Sequence, residues 1–485
     1  MEMAVLSADL FIPFLEQGAE LPVYQRVFRA IQQAIIEGKI LPGAKLPASR
    51  ELCQLLSVSR NSVKSAYELL QAEGYIETRV GAGSFVSVSV PDAIAVGADR
   101  RTSVPVNKPL SDQARRIADA RPINSHRSGD LLLPARPSLD CFPWMQWQRS
   151  VAAAGKAMKF SLGTPAGGEP RLRQQIAEHL NVVRGLNCNA DQVMVFSGSQ
   201  QAIFMTLSLL LNQGESIMVE DPGFPGIDGA IAATGAIKVS VPTDESGFVL
   251  NSGLKQAPDA RVAMLTPSRN YPMGYTLSLK RRIELLQWSE QNGAWIIEDD
   301  YDSEFRFDGP PLTALQGMGG ENQVIYLGTF SRILHPSIRL GYAVLPQALV
   351  RSFEQARRYY DGGLPSLPQL AMADFMERGC FASHCRKMRK LYAGRRAYLN
   401  GRMAELFGDQ LVSVPSDGGM HSVYLLASDC DDVALCQRLA CDGVGVRPLS
   451  PYFDRTAPRP GLVIGFAGYS EQEIDKGLKV LQQCL

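Results

Sequence analysis

Apolar positions change their spacing twice along the 485 residues. Between Leu21 and Val86 they recur every three or four positions. In "VFRAIQQAIIEG", Val27, Ile31, Ala34 and Ile35 share one face of a helix that Gly38 stops. The turn-rich connector "LPGAKLP" leads to "RELCQLL", where Ser49 is the expected N-cap and Leu52, Leu55 and Leu56 form the apolar stripe. After "SVSR" a third helix is predicted, capped by Ser59, with Val63, Ala66, Tyr67 and Leu70 inward and its end at Gly74. "YIETRVGAGSFVS" then alternates around Gly81 and Gly83, as a two-stranded wing would. Two short helices across a tight turn form a helix-turn-helix.

From Ser87 to about Arg127 the period is lost. Prolines, small residues and the pairs Arg100–Arg101 and Arg115–Arg116 predict a solvated linker with one short helix around Gln113 to Ala120. Past Gly129 short apolar runs alternate with helical patterns. "VMVF", "SIMVED", "VAMLTP", "WIIEDD" and "VIYLGT" read as buried strands; "SQQAIFMTLSLLLN" and "SLKRRIELLQWSEQNG" read as helices between them. This alternation predicts a three-layer α/β domain with a mostly parallel sheet. The expected organisation is a winged helix-turn-helix over 15–88, a linker over 89–127 and the large domain over 128–485.

Composition alters this picture only through its distribution. Apolar residues make up 45% and charged residues 20%, an ordinary soluble balance, and 49 cations match 49 acids. Between Lys39 and Lys64, however, Lys39, Lys45, Arg50, Arg60 and Lys64 face the single acid Glu51. Arg60, Asn61, Ser62 and Lys64 occupy the first turn and a half of the third helix, where a recognition helix meets bases and phosphates. No apolar run is long enough to cross a bilayer. "MEMAVLSADLFIPFLEQG" carries acids and no early cations, unlike a signal peptide. The nine cysteines form no C-x-x-C pair, which disfavours a zinc site and a disulfide framework; a cytoplasmic, metal-free protein is expected.

The stretch "GKILPGAKLPASRELCQLLSVSRNSVKSAYELLQAEGYIETRVGAGSFV" resembles the GntR-type winged helix-turn-helix of bacterial transcription factors. The resemblance implies that Arg50, Arg60, Asn61, Ser62 and Lys64 face operator DNA, and that Gly81 lets the wing tip approach the minor groove.

In open α/β sheets ligands bind beyond the carboxyl ends of the strands, so the residues after each apolar run are the candidates. Ser199 and Gln200 follow a strand and open a helix, a place that favours phosphate. Phe224 in "EDPGFPG" offers an aromatic face. Asp299 and Tyr301 lie on one side of a strand end, suited to a ring nitrogen and a ring hydroxyl. Thr329, Ser331 and Arg339 supply hydroxyls and a cation for a phosphate. Together they describe a site for a flat, phosphorylated, pyridine-like molecule.

"LGTPAGGEPRLRQQIAEHL", "VFSGSQQAI", "EDPGFPG", "TPSRNYPMG", "IIEDDYDSEFRF" and "LGTFSRILHPSIRLGY" resemble, in order, the motifs of fold-type I pyridoxal-phosphate proteins. With the N-terminal module, the architecture resembles the MocR branch of GntR regulators. The resemblance implies Ser199, Gln200, Thr329 and Arg339 at the phosphate, Phe224 against the ring, Asp299 at the pyridine nitrogen, and Tyr301 with Tyr271 at the phenolic oxygen. Arg447 is a candidate for an effector carboxylate.

One position departs from that pattern. Where the family reads Ser-Lys, this chain has Ser331-Arg332, and the family's lysine is the residue that forms the Schiff base. A guanidinium holds its proton and is a poor nucleophile. Arg269 stands where a histidine is usual, and Met273 where a small hydroxyl residue is common, so two cations could border the cleft. The cleft could hold pyridoxal phosphate noncovalently, its aminated form, a cofactor–amino-acid adduct or another anion; alternatively the pocket is vestigial and Arg332 only salt-bridges Asp299 or a neighbour. The expected protein is a homodimeric, ligand-responsive transcription regulator with no catalytic residue. The alternatives are an aminotransferase with an appended DNA-binding domain, which Arg332 disfavours, and an inert dimerisation scaffold.

Overall fold

The computed structural model describes residues 11, 20–79, 81–88, 109–121, 130–160 and 163–485. Most of the linker expected over 89–127, and the first residues of the module expected from 15, lie outside them. The chain forms two compact units, 1–109 and 110–485.

The first unit contains α1 (Val23–Ile36), α2 (Ser49–Leu55), α3 (Arg60–Ala72) and the antiparallel ribbon β1 (Ile76–Arg79) and β2 (Gly83–Val86). Val27, Ile31, Ala34, Leu52, Val63, Ala66 and Leu70 are fully buried at its centre, the stripes expected from helical spacing. Tyr67 is half-buried instead, because its hydroxyl reaches the Pro47 carbonyl at 2.8 Å. Ser59 caps α3 by accepting the Ser62 N–H at 3.1 Å. The expected cap of α2 differs. Ala48 holds the extended N-cap conformation, and Ser49 is already helical and caps nothing.

The second unit opens with α4 (Asp112–Asp119), inside the segment read as linker, then α5 (Trp144–Ala157) and α6 (Pro170–Val183). There follow β3 (Val193–Phe196), α7 (Ser199–Leu210), β4 (Ser216–Asp221), α8 (Asp228–Thr234), β5 (Ile237–Asp244), β6 (Gly247–Phe248) and α9 (Leu250–Gln256). β7 (Val262–Leu265), α10 (Leu279–Asn292), β8 (Trp295–Asp300), β9 (Val324–Thr329) and β10 (Gly341–Val344) complete the large sheet. Its strand order is β3-β10-β9-β8-β7-β4-β5-β6, and only β6 and β10 run against the others. Every residue of β3, β7 and β9 is buried, which is why these strands read as continuous apolar runs and not as alternation.

Helices α11 (Gln347–Tyr360) and α12 (Ser366–Glu377) precede the 28-residue α13 (Cys380–Phe407). Beyond α13 lies a smaller antiparallel sheet with β11 (Val412–Ser413), β12 (His421–Leu425), α14 (Asp432–Cys441), β13 (Arg447–Pro448), β14 (Gly461–Gly465) and α15 (Glu471–Cys484). The loops after β3, β4, β7, β8 and β9 and the smaller sheet bring the candidate residues together.

Candidate functional site

In the first unit Arg50, Arg60, Asn61 and Lys64 are exposed. Lys64 lies 3.7 Å from Glu68, a fully solvated pair worth only a few tenths of a kcal/mol, so the ammonium is not withheld from a phosphate. Ser62 is half-exposed and its hydroxyl sits 2.8 Å from that of Ser59, so it completes the cap. Gly81 turns the wing at φ 78°, with no atom within 4 Å of where a Cβ would stand. Two exposed cations that pattern reading left out of the DNA-facing set stand on the wing. The guanidinium of Arg79 lies 4.7 Å from the Phe85 ring and the ammonium of Lys45 lies 5.9 Å from it. Their place depends on cross-strand pairing, which spacing alone does not show.

In the second unit the phosphate-type residues gather at the start of α7. Gly198, at φ 86°, occupies the N-cap position, and no side chain caps the helix, leaving its first N–H groups for another acceptor. Arg339 arches over this end: its guanidinium carbon is 3.6 Å from the position of a Gly198 Cβ, and it donates to the Ser197 carbonyl at 3.3 Å. Thr329 accepts the Ser331 N–H at 3.2 Å, and the Ser331 hydroxyl is buried with no partner among the described residues. Gln200 behaves differently from its expected phosphate role. Its amide donates to the Gly226 carbonyl at 2.6 Å, tying α7 to the loop that carries Phe224.

Across the cleft, Asp299 at the end of β8 is 7% exposed. Burial and the neighbouring Asp300 charge push its carboxyl up to about 7, against the opposing pull of Arg332. It accepts no hydrogen bond among the described residues. Glu220, on β4, shares a small cavity with Asp299, Phe224 and Thr266. Burial pushes Glu220 up to about 7 as well, although Thr266 donates to it from its hydroxyl at 2.6 Å and its N–H at 3.1 Å.

Tyr271 is the hub of an aromatic cage. Its ring meets Phe224, Tyr301, His421 and Tyr452 edge-on at 5.3–5.9 Å, and its hydroxyl is 3.1 Å from that of Tyr452. Burial and the Arg269 charge hold the His421 imidazole well below its usual range, and Nε2 lies 2.9 Å from the Pro272 carbonyl. Sequence reasoning missed Glu220, His421 and Tyr452. The acid before "DPGFPG" was a visible signal for the first; the other two come from the distant smaller sheet. Arg447 is on β13, half-exposed, and its charge reaches Tyr452.

The two cations expected at the border of the cleft are used differently. Arg269 is buried and fully engaged: it donates to Asp302 at 3.1 Å, the Tyr301 hydroxyl at 3.2 Å, the His421 carbonyl at 2.9 Å and Ser416 at 3.2 Å. It is a strut between the large sheet and the smaller one. Arg332 is half-buried and forms no ion pair or hydrogen bond among the described residues, so the salt bridge to Asp299 is not made. Its charge nevertheless reaches Asp299, Tyr301, Asp302, His421 and Tyr452. It is a cation kept in hand at the centre of the cleft.

A winged helix-turn-helix joined to a cleft of this architecture defines a class: DNA-binding regulators built on an aminotransferase fold. Residues 23–86 match the family described as bacterial regulatory proteins, gntR family, and residues 131–481 match aminotransferase class I and II. The probable rhizopine catabolism regulatory protein MocR of Rhizobium meliloti is 33% identical over 476 residues, 96% of this chain and 94% of that one. The pyridoxine biosynthesis transcriptional regulator PdxR of Corynebacterium glutamicum is 32% identical over 448 residues, 92% of each chain. The second unit also superposes on LysN, the alpha-aminoadipate aminotransferase of Thermus thermophilus, with a TM-score of 0.70 and 24% identity, over 78% of this chain and 97% of that one. The chain belongs to the MocR-type group of the gntR family. It is a DNA-binding transcription regulator.

Proposed function

We propose that the cleft senses a B6-type anion, pyridoxal phosphate or its adduct with an amino acid, held without a covalent bond to the protein. The residues present fit such a ligand. The uncapped start of α7, Arg339 and the unpartnered Ser331 hydroxyl form a phosphate seat, with Thr329 orienting Ser331. Phe224 would cover the ring, Asp299 would face its nitrogen, and Tyr301 and Tyr271 would face its phenolic oxygen. A protonated ring nitrogen would offset the desolvation of Asp299, whose carboxylate accepts no hydrogen bond among the described residues.

The observation that carries this reading is Arg332: a cation with no ion pair or hydrogen bond among the described residues, in a cleft lined by acids and aromatics. Bound pyridoxal phosphate supplies an aldehyde beside an electron-withdrawing ring, but the stretch Leu327–Tyr342 holds no lysine to attack it. Arg332 instead suits a carboxylate, with Arg447 on β13 as a second anchor for an amino-acid portion. Catalysis of transamination needs a lysine to form the Schiff base and move the proton, so sensing is favoured over turnover. The relative named for pyridoxine biosynthesis points to the same vitamer class.

The regulator acts as a cytoplasmic homodimer in this reading. Trp144 and Met145 on α5 and Tyr359 on α11 are exposed apolar groups that a second copy would cover, and a two-fold dimer presents two reading heads to operator DNA. No helix among the described residues is long and apolar enough to cross a membrane. The test is calorimetric titration of dialysed protein with pyridoxal phosphate, with absorption spectra of the same samples. Saturable heat without a red-shifted visible band supports a noncovalent sensor. The absence of heat removes pyridoxal phosphate as the ligand.

A further inference from the structure

Helix α4 lies in the segment that leads, through residues 89–108, toward the winged unit in sequence, yet it is docked on the second unit. It has no buried residue of its own, so its docking rests on polar contacts. Gln113 donates to the Ala233 carbonyl at 3.1 Å and Arg116 to the Ala232 carbonyl at 2.9 Å. These are last-turn carbonyls of α8; the Ala232 carbonyl also accepts the Gly235 N–H at 3.3 Å. Two residues past α4, Arg121 pairs with Asp228 at the start of α8 and donates to the Pro451 carbonyl at 3.3 Å.

Those two partners of Arg121 belong to two lips of the cleft that meet directly, the Gly223 N–H donating to the Tyr452 carbonyl at 3.4 Å. Asp228 is joined to Phe224 by the single turn Pro225–Ile227, the turn whose Gly226 carbonyl holds Gln200. Pro451 immediately precedes Tyr452, whose hydroxyl meets Tyr271. The lips are further linked by Lys238, which is 2.8 Å from Asp228 and 3.2 Å from Asp454. Asp221 at the end of β4 accepts the N–H groups of Asp454, Arg455 and Thr456 at 2.7–2.8 Å. One guanidinium bonded to both lips can keep both bonds only at one separation of Phe224 from Tyr452.

We infer that α4 with Arg121 is a latch that reads the separation of the cleft lips and passes it to the chain leading to the DNA-binding head. This rests on the cleft being a ligand site. A ligand against Phe224 that favours one arrangement of the lips favours one state of Arg121. Released, an eight-residue helix is too short to persist alone, so α4 melts and the tether toward the winged unit lengthens. A docked helix that buries none of its residues is suited to this, because its release is reversible at low cost.

The test is hydrogen–deuterium exchange on the full-length protein, wild type and Arg121→Gln, without ligand and with pyridoxal phosphate. Without ligand, Arg121→Gln is expected to speed exchange over 112–121 on the order of tenfold, and over 226–234 to a smaller extent, while 23–86 is unaltered. Equal exchange in the two proteins over 112–121 overturns the latch. Gln113→Ala, a milder change at the other end of α4, should speed the same segment. With pyridoxal phosphate the wild type should change its exchange over both 224–234 and 112–121, whereas Arg121→Gln should respond only over 224–234. A wild-type response confined to 224–234 overturns the coupling and leaves the ligand site standing. No response in either segment overturns both the ligand reading and its coupling to the latch.

Discussion

In the winged unit Arg50, Arg60 and Arg79 stand in solvent, and the ion pair on the recognition helix, Lys64 with Glu68, is loose at 3.7 Å. In the second unit the site cations are turned inward: Arg184 meets Asp300 at 2.8 Å and Arg269 meets Asp302 at 3.1 Å, both nearly without exposure. A polyanion is met by surface charge that water keeps solvated until counterions leave. A small ligand is met by buried groups whose desolvation has to be compensated beforehand. Arg332 breaks this division, because it sits in the cleft yet forms no ion pair or hydrogen bond among the described residues. On the proposed reading, that is the cation an anionic ligand would meet.

The sharpest way to break the comparison is to turn Arg332 into an attacking group. Arg332→Lys is expected to make a borohydride-reducible adduct with pyridoxal phosphate, stoichiometric by intact mass, where the parent makes none. A folded variant that traps no cofactor shows that the cleft has diverged beyond this one side chain. The next effect concerns the other region. Arg60→Ala should weaken binding to a duplex selected by the parent protein by about 1–3 kcal/mol, and Lys64→Ala should weaken it less while flattening the salt dependence. Calorimetric binding of pyridoxal phosphate should be untouched by either. Unchanged DNA affinity in both would remove α3 as the recognition helix.

Asp299 offers a smaller effect with a definite sign. Its carboxyl titrates near 7 in the fold against about 3.9 in an unfolded chain, so the folded state binds the extra proton between those values. Stability contributed by this group is therefore lost as pH rises from about 4 to about 7. Asp299→Asn, neutral in both states, should stabilise the ligand-free second unit by roughly 1–3 kcal/mol at pH 8, with the gain shrinking toward zero near pH 4. The same variant should bind pyridoxal phosphate more weakly. A variant destabilised at pH 8 would show that the carboxylate has a protein partner after all.

The two regions also differ in how far they could be read before the structure. The winged unit is built from neighbours in sequence: the stripes Val27–Ile31–Ala34 and Val63–Ala66–Leu70, and the Ser59 cap, follow from spacing alone. Strands β3, β4, β7, β8 and β9 of the large sheet were equally plain, because they are covered on both faces along most of their length; β5 and β6 were not named. The position of Arg332 was legible by its spacing from Tyr301 and Arg339, but its lack of a partner among the described residues was not. Asp302 is taken by Arg269, two of whose other partners, His421 and Ser416, lie about 150 residues away. Tyr452 is likewise 181 residues from the Tyr271 hydroxyl it meets. The missed cap at Ser49 is a local failure: a serine one residue inside the helix carries the same signal as one at the cap.

The smallest effect tests whether the wing tip is shaped for its conformation or for its partner. Gly81 sits at φ 78° in open space, so Gly81→Ala meets no atom and suffers only the left-handed backbone, about 1 kcal/mol. Exchange of the β1 and β2 amides should quicken about fivefold. Gly81→Asn tolerates that backbone, so exchange should return close to the parent rate. If the tip enters a minor groove, the asparagine variant should still bind the selected duplex more weakly than the parent, because its side chain occupies the space of approach. If the asparagine variant recovers both exchange and DNA affinity, the glycine serves the turn alone and the wing tip stays clear of the DNA.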